Sequence, residues 1–192
     1  MKEKLQKISA VTFVGIFCIF IFITAASKEN NSKPQENYRQ NYNSEFDKEF
    51  HGKADVIDGD SLKVDDGFEI KEVRLFGIDA PEYHQTCFDK SDKEYDCGKS
   101  SQKFLVNLID KKQITCFYSQ KDVYNRFLAK CEIDRISINQ EILKNGMALI
   151  YNFNQSDEVM KELEKSARIR KIGIWQGKFQ KPKDYRKSHP HK

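Results

Sequence analysis

Apolar residues follow three kinds of pattern along the chain: one long uninterrupted run, several short strand-like runs, and a few runs with helical spacing. The uninterrupted run covers residues 8–26 and follows residues 1–7, which carry three Lys against one Glu. A basic segment before such a run predicts an export signal, and the run is also long enough to remain as a membrane anchor. Small residues at positions 24–26 favour cleavage over anchoring. We therefore expect an exported protein, either secreted or periplasmic after cleavage, or attached through residues 8–26 with its domain outside the cytoplasm.

A polar segment follows this run. Residues 27–52 are rich in Asn, Gln, Lys and Glu and offer little apolar surface to bury, so we predict a disordered spacer. The folded domain is then predicted over residues 53–177. Residues 178–192 form a basic C-terminal tail, for which an exposed terminus is favoured over a phosphate-binding role.

Inside the predicted domain, five short runs have strand character. They cover residues 53–57, 62–64, 68–78, 113–119 and 127–133. Asp-Gly turns at residues 58–59 and 66–67 separate the first three runs, which predicts an antiparallel meander. Apolar spacing predicts helices over residues 99–109 and 138–144 and a last helix capped by Ser156. This order is typical of the α+β class, as a five-stranded OB-fold Greek-key β-barrel with three helices.

Four cysteines lie outside the apolar run. An even number in an exported domain predicts disulfides, for which three connectivities are possible. Pairing Cys116 with Cys131 centres the hairpin of the last two strands inside its turn, which favours this bridge and, by exclusion, Cys87 with Cys97. Zinc binding is the alternative, but no C-x-x-C spacing occurs and His84 has no partner at ligand spacing.

Candidate chemistry is concentrated at the end of the third strand-like run. Residues 74–82 carry Arg74, Asp79 and Glu82 around a turn, and charges held on a turn are typical of a metal or phosphate site. A solvated loop is the alternative interpretation. Asp60 lies in the turn one hairpin earlier, so the meander could bring it beside Asp79 and complete a metal site.

The net charge of +4 is unevenly distributed. The first seven residues contribute +2 and residues 178–192 contribute +5, which leaves −3 for residues 27–177. Bulk charge of the domain therefore does not predict a nucleic-acid ligand.

Five motifs, in this order and with these spacings, resemble the staphylococcal nuclease (thermonuclease) family. The motifs are Ile57-Asp58-Gly59-Asp60-Ser61, Arg74-Leu75-Phe76-Gly77-Ile78-Asp79-Ala80-Pro81-Glu82, Asp122-Val123-Tyr124-Asn125-Arg126, Asn145-Gly146-Met147-Ala148 and Gly173-Ile174-Trp175. The likeness covers residues 53–177. The four cysteines and the ending after residue 174 resemble the exported, disulfide-containing bacterial branch.

The resemblance implies an endonuclease, a phosphodiesterase that acts on DNA and RNA with a bound Ca²⁺. It implies Asp60, Asp79 and the backbone carbonyl of Ala80 as calcium ligands. Glu82 would orient or deprotonate the attacking water, and cleavage would leave 3′-phosphate ends.

Substrate contacts are also implied by the resemblance. Arg74 and Arg126 would hold the scissile phosphate, and Tyr124 matches a tyrosine that contacts phosphate. Tyr151 and Phe153 are candidates for stacking on a base, with packing in the core as the alternative for each.

A different function class is compatible with the same fold. The barrel could be a catalytically inactive OB-fold module at the cell surface that binds nucleic acid or protein. Such a module is expected to lack part of the charged set, which is complete here. Val123 stands where the best-known member has a Lys near the phosphate, so weaker nucleotide binding is expected. We expect a monomer.

Overall fold

Five strands close into a barrel in the computed structural model, which describes residues 46–152 and 156–190. The predicted signal or anchor segment, most of the predicted spacer and Phe153 lie outside the described residues. In the described part of the chain, no helix is long and apolar enough to cross a membrane.

The barrel strands follow the predicted meander and hairpin. The five barrel strands are β1 (Lys48–Val56), β2 (Ser61–Asp65), β3 (Ile70–Leu75), β7 (Gln113–Lys121) and β8 (Phe127–Ile133). The other described strands are the two-residue strands β4 (Ile78–Asp79), β5 (Cys87–Phe88), β6 (Glu94–Tyr95), β9 (Ile136–Ser137) and β10 (Leu149–Ile150). Around the barrel the order is β3-β2-β1-β7-β8, with antiparallel neighbours, and a parallel pairing of β3 with β8 closes the ring. Closure pairs both outer strands, so the barrel exposes no long unpaired edge in the described residues.

The helices are α1 (Cys97–Ile109), α2 (Ile138–Lys144), α3 (Glu158–Arg170) and α4 (Pro182–Ser188), with a 3₁₀ turn over Gly173–Gln176. The first three were predicted, although Asp157 rather than Ser156 caps α3, because the Asp157 side chain accepts a hydrogen bond from the Met160 N–H at 2.8 Å. The described residues contain one further helix, α4, which was not predicted. Helix α4 lies within the predicted tail and begins with Pro182, a residue suited to the first helical turn.

The hydrophobic core fills the barrel and the space beneath α1. Alternate residues of the strands point inward, as the two-residue period of a strand requires. The buried strand residues include Leu62, Val64, Val73, Leu75, Ile114, Ala129 and Ile133. Leu105 and Ile109 of α1 are buried in the same cluster, so the helix covers one end of the core.

The sheet begins earlier than the sequence predicted. Strand β1 starts at Lys48, so residues 48–52 of the predicted spacer belong to the barrel. Phe46 and Phe50 are buried, and the Phe50 ring packs 5.4 Å from the Phe127 ring. The polar composition of this segment concealed the strand because its stability comes from pairing with β7 over residues 48–53.

Both favoured disulfides are present. Cys116 and Cys131 are direct partners in the register of β7 and β8, with Cα atoms 4.1 Å apart. Cys87 and Cys97 are joined across the loop before α1, with Cα atoms 5.6 Å apart. All four cysteines are therefore paired in two disulfides and do not form the alternative zinc site.

The predicted third strand, residues 68–78, is interrupted by a turn. Strand β3 ends at Leu75, and Gly77 then adopts a φ of 80°, a left-handed conformation that glycine accepts at low cost. Strand β4 resumes at Ile78 and pairs with β10 instead of the barrel. The break turns residues 78–82 away from the barrel strands and sets up the charged turn.

Asn139 joins three parts of the fold. It is buried in α2, accepts a hydrogen bond from the Cys131 N–H at 3.0 Å and donates one to the Phe76 carbonyl at 2.9 Å. We predict that Asn139→Ala lowers the free energy of unfolding by about 2–3 kcal/mol, because it leaves the buried Cys131 N–H and the partly buried Phe76 carbonyl without this partner. Urea denaturation measures this change.

The matched control is Asn107→Ala, at an exposed position of α1. This substitution is expected to leave the unfolding free energy within about 0.5 kcal/mol of wild type. Equal stability of Asn139→Ala and wild type would contradict the proposed structural role.

Candidate active site

The register of β2 and β3 brings the first two charged residues together. Ser61 pairs with Arg74, and the Leu75 N–H donates to the Asp60 carbonyl at 2.8 Å. Asp60 therefore lies beside the end of β3, where Arg74 projects. The expectation was that the meander would bring Asp60 beside Asp79, and Arg74 forms ion pairs with both carboxylates.

Asp60 is a buried carboxylate, with 1% of its surface exposed. Its Oδ2 accepts the Ala80 N–H at 2.7 Å, and its Oδ1 accepts the Ser61 hydroxyl at 3.2 Å and an Arg74 guanidinium N–H. Burial raises the pKa of Asp60 to about 8, although Arg74 and the Ala80 N–H act to lower it. A carboxylate in this position is stabilised by any additional positive charge that reaches it.

Asp79 accepts hydrogen bonds from two arginines, and Glu82 accepts one from the second of them. Arg74 Nη2 donates to Asp79 Oδ1 at 3.1 Å. Arg186 Nη1 donates to the same Asp79 oxygen at 2.9 Å and to Glu82 Oε1 at 2.7 Å, so the two carboxylate oxygens are at most 5.6 Å apart, the sum of the two distances. Three carboxylates and two guanidinium groups thus form one continuous ion-pair cluster.

The turn that carries Glu82 is fixed by a buried glutamine. Gln85 is fully buried; its N–H donates to the Glu82 carbonyl at 2.7 Å, and its side-chain oxygen accepts the Glu82 N–H at 3.2 Å. The Gln85 amide nitrogen donates to the carbonyl of Gln180 at 2.6 Å. Sequence reasoning missed Gln85, because a polar residue in a polar loop gives no sign that it is buried.

Arg126 is oriented by Asp122, in the turn between β7 and β8. Asp122 Oδ1 accepts the N–H groups of Tyr124 at 2.9 Å and Arg126 at 3.0 Å, and Oδ2 accepts Arg126 Nε at 2.8 Å. Burial acts to raise the pKa of Asp122, but these hydrogen bonds outweigh it and lower the pKa below its usual value. Asp122 is therefore a charged partner for Arg126. Asp122 belongs to one of the family-like motifs, but the sequence did not predict this role for it.

One cleft of about 890 Å³ brings these groups together. Its charged and aromatic lining includes Arg74, Glu82, Arg126, Arg186, Tyr124 and Tyr151, and its apolar wall includes Leu75, Ile78 and Met160. The buried carboxylates of Asp60 and Asp79 contact this cleft through Arg74. All predicted catalytic residues therefore face, or adjoin, one space.

Of the two aromatic candidates for stacking on a base, only Tyr151 lies in the described part of the chain. Tyr151 lines the cleft and is 59% exposed, so it is not a core residue and remains available to stack on a ligand. Phe153 lies outside the described residues. Val123 also lines the cleft, 92% exposed at the tip of the β7–β8 hairpin.

Arg186 lines the cleft, a position that the sequence did not predict. The predicted exposed tail instead forms α4, which carries Arg186 into the cleft. Partial burial acts to lower the pKa of Arg186, but the hydrogen bonds to Glu82 and Asp79 outweigh it and raise the pKa above its usual value. A Pro at the start of a short charged segment was the available signal for this helix.

The donor atoms near the ion-pair cluster are oxygens. Among the described residues, no set of three or more His, Cys, Asp or Glu side chains is arranged as a metal site. Two buried carboxylates, Asp60 and Asp79, together with the adjacent carbonyl of Ala80, fit a hard divalent cation that completes its shell with water.

Gly98 supports the Glu82 turn through close backbone contact. A Cβ atom at Gly98 would lie 1.8 Å from the Glu82 carbonyl oxygen. Exchange of a helical glycine for alanine normally stabilises a protein by up to about 1 kcal/mol. We predict that Gly98→Ala has the opposite sign and lowers the melting temperature by several degrees, since about 1 kcal/mol corresponds to about 2–4 °C in a domain of this size.

Thermal denaturation followed by circular dichroism measures this difference. Ser100→Ala, an exposed substitution in the same helix, serves as the control and is expected to change the melting temperature little. A Gly98→Ala variant as stable as wild type would show that the turn can move without cost.

Comparison with known proteins identifies a family and several relatives of this chain. A family model described as staphylococcal nuclease homologue matches residues 72–177. An uncharacterized endonuclease of Escherichia coli O157:H7 is 33% identical over 129 residues, which cover 66% of this chain and 78% of that protein. An uncharacterized endonuclease of Haemophilus influenzae is 32% identical over 121 residues, or 62% of each chain. A probable endonuclease of Phaeosphaeria nodorum is 30% identical over 130 residues, which cover 62% of this chain and 42% of that protein. Since the matched segment contains the charged turn and the β7–β8 hairpin, the chain belongs to the staphylococcal nuclease family, whose domain is a hydrolytic nuclease fold.

Proposed function

We propose that this protein is a calcium-dependent endonuclease that hydrolyses phosphodiester bonds in DNA and RNA. Nuclease activity, and with it the hydrolase class, follows from family membership. The observation that carries the finer proposal is the convergence of Glu82, Arg74 and Arg126 on one cleft beside two buried carboxylates.

Asp60, Asp79 and the Ala80 carbonyl would hold the cation. Calcium suits these ligands because it prefers oxygen donors and tolerates irregular geometry. Bound there, it would supply positive charge that neutralises the phosphate and favours attack by water. The fit rests on the chemistry of the donors and on the burial of Asp60 and Asp79.

Glu82 is the group that would activate water. Its carboxylate lines the open cleft, unlike those of Asp60 and Asp79, and it is held by Arg186 on one side. A carboxylate within reach of water can orient it and accept its proton. The Gln85 hydrogen bonds fix the backbone of this residue, so the base is presented on a rigid turn.

Arg74 and Arg126 would bind the scissile phosphate. A guanidinium group can donate two parallel hydrogen bonds to phosphate oxygens and remains charged at all physiological pH values. Asp122 accepts a hydrogen bond from Arg126 Nε and so holds Arg126 in the cleft. The guanidinium carbon of Arg126 lies 5.5 Å from the centre of the Tyr124 ring. Attack with departure of the 5′-oxygen would then leave a 3′-phosphate end, by analogy with the family.

A binding module is the second function class to weigh. Loss of a charged residue would favour it, but Asp60, Arg74, Asp79, Glu82 and Arg126 are all present. Calcium-dependent cleavage of a fluorescent single-stranded oligonucleotide by the purified, disulfide-bonded protein distinguishes the two classes. Cleavage that stops with chelator supports the nuclease, whereas folded protein that binds without cleaving supports the module.

Export is part of the proposal. The two disulfides support a compartment outside the reducing cytosol, and residues 8–26 would direct the chain there. N-terminal sequencing of the exported protein tests whether this segment is removed or retained as an anchor.

We predict that Glu82→Gln lowers kcat by about 100-fold or more, because the amide cannot accept a proton from water. The Kd for a single-stranded oligonucleotide should change little, because the phosphate is held by the arginines. Single-turnover cleavage and fluorescence anisotropy measure the two quantities. Glu94→Gln, at an exposed position of β6, is the control and should match wild type. Equal loss of binding and turnover in Glu82→Gln would argue against a role in water activation.

We predict that Val123→Lys increases affinity for single-stranded DNA. The side chain is 92% exposed on the cleft rim, so a Lys there can reach a phosphate without disturbing the core. One added phosphate contact should steepen the dependence of log K on log[salt] by about 0.7. Anisotropy titrations at several salt concentrations measure this slope, and Val123→Gln separates charge from side-chain length. An unchanged slope in Val123→Lys would contradict a phosphate near this position.

A further inference from the structure

We propose that Arg186 is a positioning residue of the active site. In this proposal Arg186 fixes Glu82 beside Asp79 for catalysis and, at the same time, weakens the binding of the cation. The inference rests on the proposed function and assigns a role to a residue outside the matched family segment, which ends at residue 177.

The contact between Arg186 and the two carboxylates is direct. A single nitrogen, Nη1, bonds Asp79 Oδ1 at 2.9 Å and Glu82 Oε1 at 2.7 Å. The Arg186 side chain is 32% exposed, and those of Asp79 and Glu82 are more buried. Charge-assisted hydrogen bonds between partly buried groups are stronger and better ordered than surface ion pairs.

Helix α4 is held against the loop that carries Glu82. Gln85 donates to the Gln180 carbonyl at 2.6 Å, and the Tyr185 hydroxyl donates to the His84 carbonyl at 3.3 Å. The Phe88 N–H donates to the Lys178 carbonyl at 2.8 Å. These bonds tie the C-terminal segment to residues 84–88, so Arg186 and Glu82 are carried by one connected unit.

Repulsion between the Asp79 and Glu82 carboxylates explains why the position of Arg186 matters for Glu82, the proposed base. Asp79 and Glu82 present oxygens at most 5.6 Å apart, the sum of the distances to the shared nitrogen, and like charges at that separation repel each other. Arg186 lies between them and replaces this repulsion with two attractive contacts. Without Arg186, the Glu82 side chain would be free to rotate toward solvent, away from the place where water must be activated.

The same charge has the opposite effect on the cation. Asp79 Oδ1 already accepts hydrogen bonds from both Arg74 and Arg186, so a cation that binds Asp79 competes with two guanidinium groups. Removal of Arg186 relieves part of this competition. The proposal therefore predicts that loss of Arg186 impairs catalysis but improves calcium affinity, a combination that simple loss of structure does not produce.

The test compares wild type with Arg186→Gln in the full-length, disulfide-bonded protein. Isothermal titration calorimetry with calcium alone should give a Kd about 3- to 10-fold lower in the variant, the size expected for removing one nearby charge under partial screening. At saturating calcium, kcat on a single-stranded oligonucleotide should fall about 10- to 100-fold, as for other residues that orient catalytic groups. KM should change much less than kcat.

Two further variants separate charge from structure. Lys187→Gln removes the same charge from an exposed position of the same helix and should match wild type in both measurements. Arg186→Lys keeps the charge, so it should retain the calcium affinity of wild type and recover part of kcat.

The outcomes distinguish the two proposals. Wild-type protein that binds but does not cleave with calcium would overturn the proposed function. Wild-type cleavage together with an unaltered kcat in Arg186→Gln would overturn only the inference about Arg186. Weaker calcium binding in Arg186→Gln, with a lower melting temperature, would also overturn it, because that pattern indicates a structural role alone.

Discussion

The buried ion pair between Asp60 and Arg74 is the constraint on which the rest of the site depends. An isolated carboxylate buried as deeply as Asp60 would be costly, because burial disfavours its charged form and raises its pKa. The Arg74 guanidinium and the Ala80 N–H both bond the Asp60 carboxylate and stabilise its charge. Both partners come from the segment 74–82, so this segment must approach the hairpin turn closely for the charge to be tolerated.

Barrel closure makes that approach possible and adds the second arginine. Strand β3 pairs with β2 on one side and with β8 on the other, where Arg74 is the register partner of Leu128. Arg126 precedes β8 by one residue, so the same closure that completes the ring brings it to the cleft. The proposed catalytic and metal-binding residues, dispersed over 67 sequence positions, 60–126, are thus brought together by strand pairing rather than by local sequence.

Sequence alone predicted the features that local pattern determines. Apolar spacing predicted α1 and α2, and the expected centre of the β7–β8 hairpin favoured the disulfide between Cys116 and Cys131. The features it missed are those that depend on distant contacts. Strand β1 extends to Lys48 because β7 pairs with it, and α4, which is too short to be stable alone, is held by the loop around Gln85.

The same distinction applies within the candidate site. Arg74, Asp79 and Glu82 are close in sequence, so a motif could identify them together. Arg186 is separated from Glu82 by 104 positions, and its sequence context is that of an ordinary charged terminus. Only the packing of α4 shows that this charge is internal to the site.

The cleft differs from the best-known member of the family at one position of the β7–β8 hairpin. That member has a Lys where this chain has the exposed Val123, so this position of the β7–β8 hairpin carries no positive charge here. Here a guanidinium enters from α4, but it is already bonded to Asp79 and Glu82 and is not free to replace a phosphate contact. Its charge acts first on the carboxylates and only through them on the substrate. If the proposed function and the proposed role of Arg186 hold, the two features are not equivalent: the first would reduce affinity for nucleic acid, and the second would order the proposed catalytic groups while lowering cation affinity.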